Sequence, residues 1–100
     1  MSTIPDVILA NGVHMPALGL GTSPMTDGTA ADAVAAAIGI GYRLIDTAEK
    51  YGNERGVGRG IRSSGVDRTE LFVTTKLNAE WHSVDGVRQA CFNSLRRLGL

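Results

Sequence analysis

"GYRLIDTAEKYGNE", residues 41–54, decides the architecture. Its first half, "YRLIDT" (42–47), has the apolar composition of a buried strand, yet it ends on an ionisable group, Asp46. A phenol, Tyr51, follows five residues later. Upstream, "TAADAVAAAIGIG" (29–41) places Ala30, Ala33, Val34, Ala37 and Ile38 at helical spacing. Thr29 and Asp32 there resemble a capping box, and Gly39 and Gly41 stop the run. Downstream, "NERGVGRGIRSS" (53–64) has Val57 and Ile61 one turn apart in a helix weakened by three glycines. The strand at 42–46 is therefore flanked by helices at 29–39 and 53–63.

The same alternation extends both ways. "ALGLGT" (17–22) is a short strand broken at Gly21, and "LFVTTK" (71–76) is a third, rich in β-branched residues. "SVDGVRQACFNSLRRLG" (83–99) is a helix with Ser83 as its cap and Gly99 as its stop. Val87, Cys91, Leu95 and Leu98 form its apolar stripe, and Arg96-Arg97 offset its dipole. Before these units, "DVILANGVHM" (6–15) holds Asn11-Gly12 between apolar runs and predicts a hairpin with a type I′ turn.

Strands alternating with helices imply a parallel sheet with right-handed crossovers. All strand tips then share one rim, so Gly21-Thr22, Asp46-Thr47 and Lys76 end three strands on one face. Ligands bind at that rim in α/β folds. Nothing follows the helix-ending Gly99 except Leu100, and three units leave a strand edge open. We expect a fourth strand next, the chain being cut from a longer one.

The bulk numbers suit one partial domain: 100 residues, 43% hydrophobic, ten basic and ten acidic side chains with a formal charge of zero. Scattered charge draws the chain to neither nucleic acid nor an acidic membrane, and no obligate protein partner is indicated. The single cysteine, Cys91, excludes an internal disulfide and a cysteine-rich metal site, and it reads as a small core residue. The N-terminus lacks a secretory pattern and no run reaches bilayer length, which makes a soluble cytoplasmic protein the default expectation. "GVGRG" (56–60) lies inside a helical stripe, and "GLGT" (19–22) lacks a third glycine, so neither is a dinucleotide fingerprint.

Asp46 alone could cap a turn, and Lys76 alone could be an ordinary solvated residue. At neighbouring strand tips they can form an ion pair, and the loop after Asp46 can bring the Tyr51 hydroxyl beside the ammonium. A free phenol, with a pKa of about 10, is a poor acid at neutral pH. A neighbouring ammonium favours the phenolate and makes the phenol a better donor to a carbonyl oxygen.

"GYRLIDTAEKYGNERGVG" (41–58) resembles the signature of the aldo-keto reductase family, matching it at Gly41, Tyr42, Arg43, Ile45, Asp46, Thr47, Ala48, Tyr51, Asn53, Glu54, Val57 and Gly58. "MPALGLGT" and "LFVTTKL" are similar to that family's first and third strands, and "NGVHMP" to the hairpin that plugs its barrel base. The resemblance implies residues 1–16 as a base-capping hairpin and 17–100 as the first three β/α units of a (β/α)8 TIM barrel. It implies reduction of small aldehydes and ketones with NADPH and no metal. Tyr51 would be the general acid, Lys76 its activator and Asp46 the partner of the lysine, with Gly21, Thr22 and Asp46 at the nicotinamide end. The family's catalytic histidine and its phosphate-gripping residues would fall beyond Leu100, so the chain by itself should be inactive. Leu44 replaces a common histidine and shares a side with Asp46; Ser23 replaces a common aromatic. Trp81 could touch substrate or simply pack, His82 is expected in a loop, and His14 lies away from the rim. The alternative reading is a nucleotide-binding regulatory subunit of the same superfamily.

Overall fold

The computed structural model describes residues 4–100; the expected base-capping segment therefore begins, at residues 1–3, outside the described residues. Strands β1 (Asp6–Ile8) and β2 (His14–Pro16) pair antiparallel, with Ile8 opposite His14. Their turn differs from the expected type I′. Only Gly12 has positive φ (+85°), and the Leu9 carbonyl accepts from Gly12 N–H at 2.8 Å. Asn11 keeps a negative φ while its side-chain oxygen accepts from Val13 N–H at 3.1 Å. A three-residue loop ending on a left-handed glycine is the next commonest hairpin connection.

Then come β3 (Leu20–Gly21), α1 (Asp27–Gly39), β4 (Leu44–Asp46), α2 (Glu54–Ser63), β5 (Phe72–Thr74) and α3 (Val84–Leu98). The sheet order is β3-β4-β5, parallel throughout. Strands are shorter than the sequence suggests, but their register agrees with it. Ile45 faces the helices and is fully buried with Val34, Ile38, Val57, Ile61, Leu71 and Leu98. Each such side chain is worth about 1.5–3 kcal/mol when removed from water. Leu44 and Asp46, alternating with Ile45, face the other side.

Helix α1 starts three residues before the expected box. Thr26 is its cap, accepting from Thr29 N–H at 3.2 Å, and Asp27 supplies the first-turn negative charge. Helix α3 begins and ends as expected, on Ser83 and on Gly99 with φ +73°. Its buried face keeps only Leu98 of the expected stripe. Ala90, Ser94 and Leu98 are buried, whereas Val87, Cys91 and Leu95 are exposed. Val87 and Cys91 instead border an open groove of about 150 Å3 with Thr75 and Leu77.

The three glycines of α2 are contact points. A methyl on Gly56 or Gly60 would strike the α1 backbone at Asp27 or Ala31, and one on Gly58 would strike the Leu98 carbonyl of α3. Glycine costs a helix about 1 kcal/mol relative to alanine. Here it lets one helix lie against two neighbours at backbone distance.

Candidate active site

Register assembles the rim. Gly21 lies beside Asp46, and Asp46 beside Thr74. Backbone pairing continues past the strands: Thr47 N–H donates to the Thr74 carbonyl at 2.7 Å and Glu49 N–H to the Lys76 carbonyl at 3.0 Å. Lys76 is therefore fixed beside the loop that leaves β4. Its ammonium donates to Asp46 Oδ1 at 2.8 Å and to the Thr47 carbonyl at 3.1 Å. Tyr51 closes a single 3-10 turn, Glu49–Tyr51, and Gly52 exits it with φ +70°. The Lys76 ammonium stands 5.4 Å from the centre of the Tyr51 ring, within cation–π range.

Asp46, Tyr51 and Lys76 thus converge as the sequence suggested, with one difference. The ammonium gives its short hydrogen bonds to Asp46 and Thr47, and the Tyr51 hydroxyl is the weaker partner. Lys76 is held above its ordinary value of 10.5, chiefly by the hydrogen bond with Asp46; partial burial opposes this, and the Asp46 charge and then Tyr51 add to it.

A buried polar layer supports the rim. Thr22, Thr47 and Asn53 have no exposed surface. Thr22 Oγ1 and Thr47 Oγ1 are 2.9 Å apart, and Thr47 Oγ1 donates to Asn53 Oδ1 at 3.2 Å. The Asn53 amide donates to the Thr22 carbonyl at 2.8 Å and the Met25 carbonyl at 3.0 Å. Asn53 thereby ties the loop after β3 to the start of α2. With its side chain turned away, α2 is capped from outside: Asp27 Oδ1 accepts from Gly56 N–H at 2.9 Å.

Further out, Glu54 is almost wholly buried. It accepts from Arg97 Nε at 2.6 Å and from the Thr75 hydroxyl at 2.7 Å. Arg97 therefore does more than offset a helix dipole. Trp81 Nε1 donates to Glu49 Oε2 at 3.3 Å, which gives the indole a structural partner. The roles of Asn53, Glu49 and Glu54 escaped the sequence reading. The available signals were the adjacent polar pair Asn53-Glu54 at the start of a helix and its match to the family signature.

On the open side of the sheet, Met15, Gly19, Gly21, Leu44, Asp46 and Thr74 line a concavity of about 380 Å3. Leu44 shares it with Asp46, as alternation required. No atom lies within 4 Å of a Cβ built on Gly21, so the rim there can accept a planar ring against backbone. Thr22 has no surface to offer a ligand; its hydroxyl is committed to Asp46 and Thr47. His82 is exposed in the loop after β5, and His14 sits in the hairpin 3.5 Å from Asp6. The hairpin faces the opposite end of the sheet, where Asp6, Val13, His14 and Pro16 share a hollow with Arg43, Glu70 and Phe72.

This parallel β/α arrangement has counterparts among known proteins. The profile of the aldo/keto reductase family matches residues 15–100. This chain belongs to that family. It is 54% identical over 96 residues to morphine 6-dehydrogenase of Pseudomonas putida, covering 96% of this chain and 32% of that protein. It is 50% identical over 99 residues to an aldo-keto reductase of Mycolicibacterium paratuberculosis, covering 99% of this chain and 35% of that one. Among solved structures, an aldo/keto reductase of Brucella melitensis superposes with TM-score 0.94 at 42% identity, over 99% of this chain and 38% of that one. A Bombyx mori aldo-keto reductase in complex with NADP does so with TM-score 0.94 at 39% identity, over 100% and 36%. The chain spans about a third of the length of the curated relatives it matches. Its fold is a hairpin plus three β/α units of a (β/α)8 barrel. No helix among the described residues is long and apolar enough to cross a membrane.

Proposed function

We propose that these residues form the N-terminal part of an NADPH-dependent carbonyl reductase acting on small aldehydes or ketones. The observation that carries the reading is the Lys76–Asp46 contact of 2.8 Å with the ammonium 5.4 Å from the Tyr51 ring, all on one strand-tip rim. Membership of the aldo/keto reductase family and the likeness to an NADP complex support it.

Tyr51 is the general acid: its hydroxyl gives a proton to the carbonyl oxygen as that oxygen gains negative charge. Lys76 stabilises the phenolate left behind. Asp46 holds Lys76 in place and balances its charge, so the cluster is neutral before the proton leaves and carries one negative charge, held against the ammonium, afterwards. Gly21 and Asp46 would hold the nicotinamide end, Gly21 by leaving room at the backbone and Asp46 by its carboxylate. Thr22 serves the same site indirectly by fixing Asp46 and Thr47 from beneath. When bound, the reduced nicotinamide supplies the hydride. The described part of the expected 1–16 segment, from residue 4 on, would serve as the plug at the far end of the barrel, with 17–100 as its first three units.

The test is Tyr51→Phe in a complete barrel carrying these 100 residues. Carbonyl-dependent NADPH consumption should fall on the order of 10²–10⁴-fold, with NADPH affinity nearly unchanged, because only the proton donor is lost. Unchanged turnover would place the acid elsewhere. The three units alone should show no turnover, since hydride transfer needs a geometry in which a misplacement of about 1 Å costs roughly 10²-fold.

A further inference from the structure

The sequence puts a carboxylate, Glu49, two residues before Tyr51 in the same 3-10 turn. Its side chain is largely buried, and both of its oxygens are engaged by the loop that follows Lys76. Oε1 accepts from Asn78 N–H at 3.1 Å, and Oε2 accepts from the Trp81 indole at 3.3 Å. The Glu49 N–H donates to the Lys76 carbonyl at 3.0 Å. Three bonds therefore join the turn bearing Tyr51 to the segment bearing Lys76. On the other side of Lys76, the Thr75 hydroxyl is held by Glu54 at 2.7 Å. Arg97 links the two carboxylates, with Nη2 at 3.7 Å from Glu49 and Nε at 2.6 Å from Glu54.

We propose that Glu49 is a positioning residue, fastening the Lys76 loop to the Tyr51 turn through Asn78 and Trp81 and being itself oriented by Arg97. The role rests on the reading of Tyr51 and Lys76 as the proton-delivering pair. The Tyr51 hydroxyl is only a weak partner of the ammonium, the smallest of the influences on Lys76, so their spacing depends on what holds their backbones. Asp46 orients the ammonium from the neighbouring strand tip but exerts no hold on the turn that carries the phenol. Glu49 supplies that hold. A carboxylate suits the task because it accepts two bonds in one plane, one from a main-chain N–H and one from an indole N–H.

The test reads geometry rather than turnover. The chain has two lysines, Lys50 and Lys76, so its lysine methylene spectrum is simple to assign. An ammonium 5.4 Å from the ring centre brings the lysine ε-methylene protons under the influence of the ring current. In the parent chain the Lys76 ε-methylene signal should be displaced from its position in Tyr51→Leu, which defines zero for this effect. Absence of that displacement in the parent overturns the Lys76–Tyr51 geometry on which the proposed function depends. Given the shift, Glu49→Ala should abolish most of it while amide signals of Leu20 and Val34 keep their positions. Glu49→Gln, which retains an oxygen for Asn78, should restore most of it despite losing the charge. A full shift in Glu49→Ala, or equal loss in the Ala and Gln variants, would overturn the positioning role and leave the function reading intact. Should Glu49→Ala fail to fold, Trp81→Phe decides: it removes only the indole donor and should reduce the shift in part, and an unaltered shift would refute the clamp.

Discussion

Lys76 reaches Asp46 across the β4–β5 strand tips at 2.8 Å, and this single contact is the main reason its ammonium is harder to deprotonate than usual. Because the folded value lies above 10.5, the contact stabilises the fold fully below the unfolded value. That contribution is lost as pH rises through the higher folded value. Half the Lys76 side chain is exposed, so solvent screens the effect and keeps it small. Asp46→Ala removes both the hydrogen bond and the charge, and should bring the Lys76 midpoint down toward 10.5 in a titration followed by lysine carbon NMR. A midpoint that stays where it was would assign the shift to another cause.

Asn53 should be the most sensitive polar position beneath the rim. It has no exposed surface and joins Thr22, Met25 and Thr47 in one network. Asn53→Ala takes a bond from two carbonyls and a hydroxyl; the Thr22 carbonyl keeps Met25 N–H and the Thr47 hydroxyl keeps Thr22, so the Met25 carbonyl alone is left without a partner. Each buried group left unpaired costs about 1–3 kcal/mol. Denaturant unfolding should show a loss of at least about 1 kcal/mol, the low end for one such group. A loss under about 0.5 kcal/mol, the range of an ordinary surface change, would mean that water takes over the bonds.

Gly58→Ala tests helix packing against helix propensity. Alanine should gain about 1 kcal/mol on propensity alone. The added methyl would meet the Leu98 carbonyl, which belongs to backbone and cannot swing aside. Overpacking of this kind costs typically about 1–3 kcal/mol, so the variant should be less stable despite its better helix former. Arg59→Ala, one residue on and exposed, is the control and should stay within about 0.5 kcal/mol of the parent. A stabilised Gly58→Ala would show that α3 shifts away from α2.

The contrast between these positions explains what the sequence could reveal. Strand order and shared rim follow from alternation and chain direction, so Asp46 and Lys76 could be placed together from spacing alone. Leu44 and Asp46 fell on one side for the same reason, since the strand period is two. Contacts between elements distant in sequence left little local trace. The Thr26 cap was obscured by Gly28, which reads as a breaker but occupies the first turn of α1. Cys91 looked buried because its spacing from Val87 and Leu95 is helical, yet periodicity does not say which neighbour covers a face. The glycines of α2 looked like weakness because their partners, Asp27, Ala31 and Leu98, lie far away in the chain.

Those glycines also bear on curvature. Adjacent strands stand about 4.8 Å apart, while packed helices usually stand about 8–10 Å apart. A layer of helices joined one to one with strands therefore needs a longer arc than the sheet it covers, and the sheet bends with the helices outside. A helix that admits its neighbours to backbone contact on both flanks shortens that outer arc. Gly56 and Gly60 on one flank and Gly58 on the other thus relax the bend at β4, the middle strand. The radius on which β3, β4 and β5 turn is set partly by three hydrogen atoms standing where methyl groups would be.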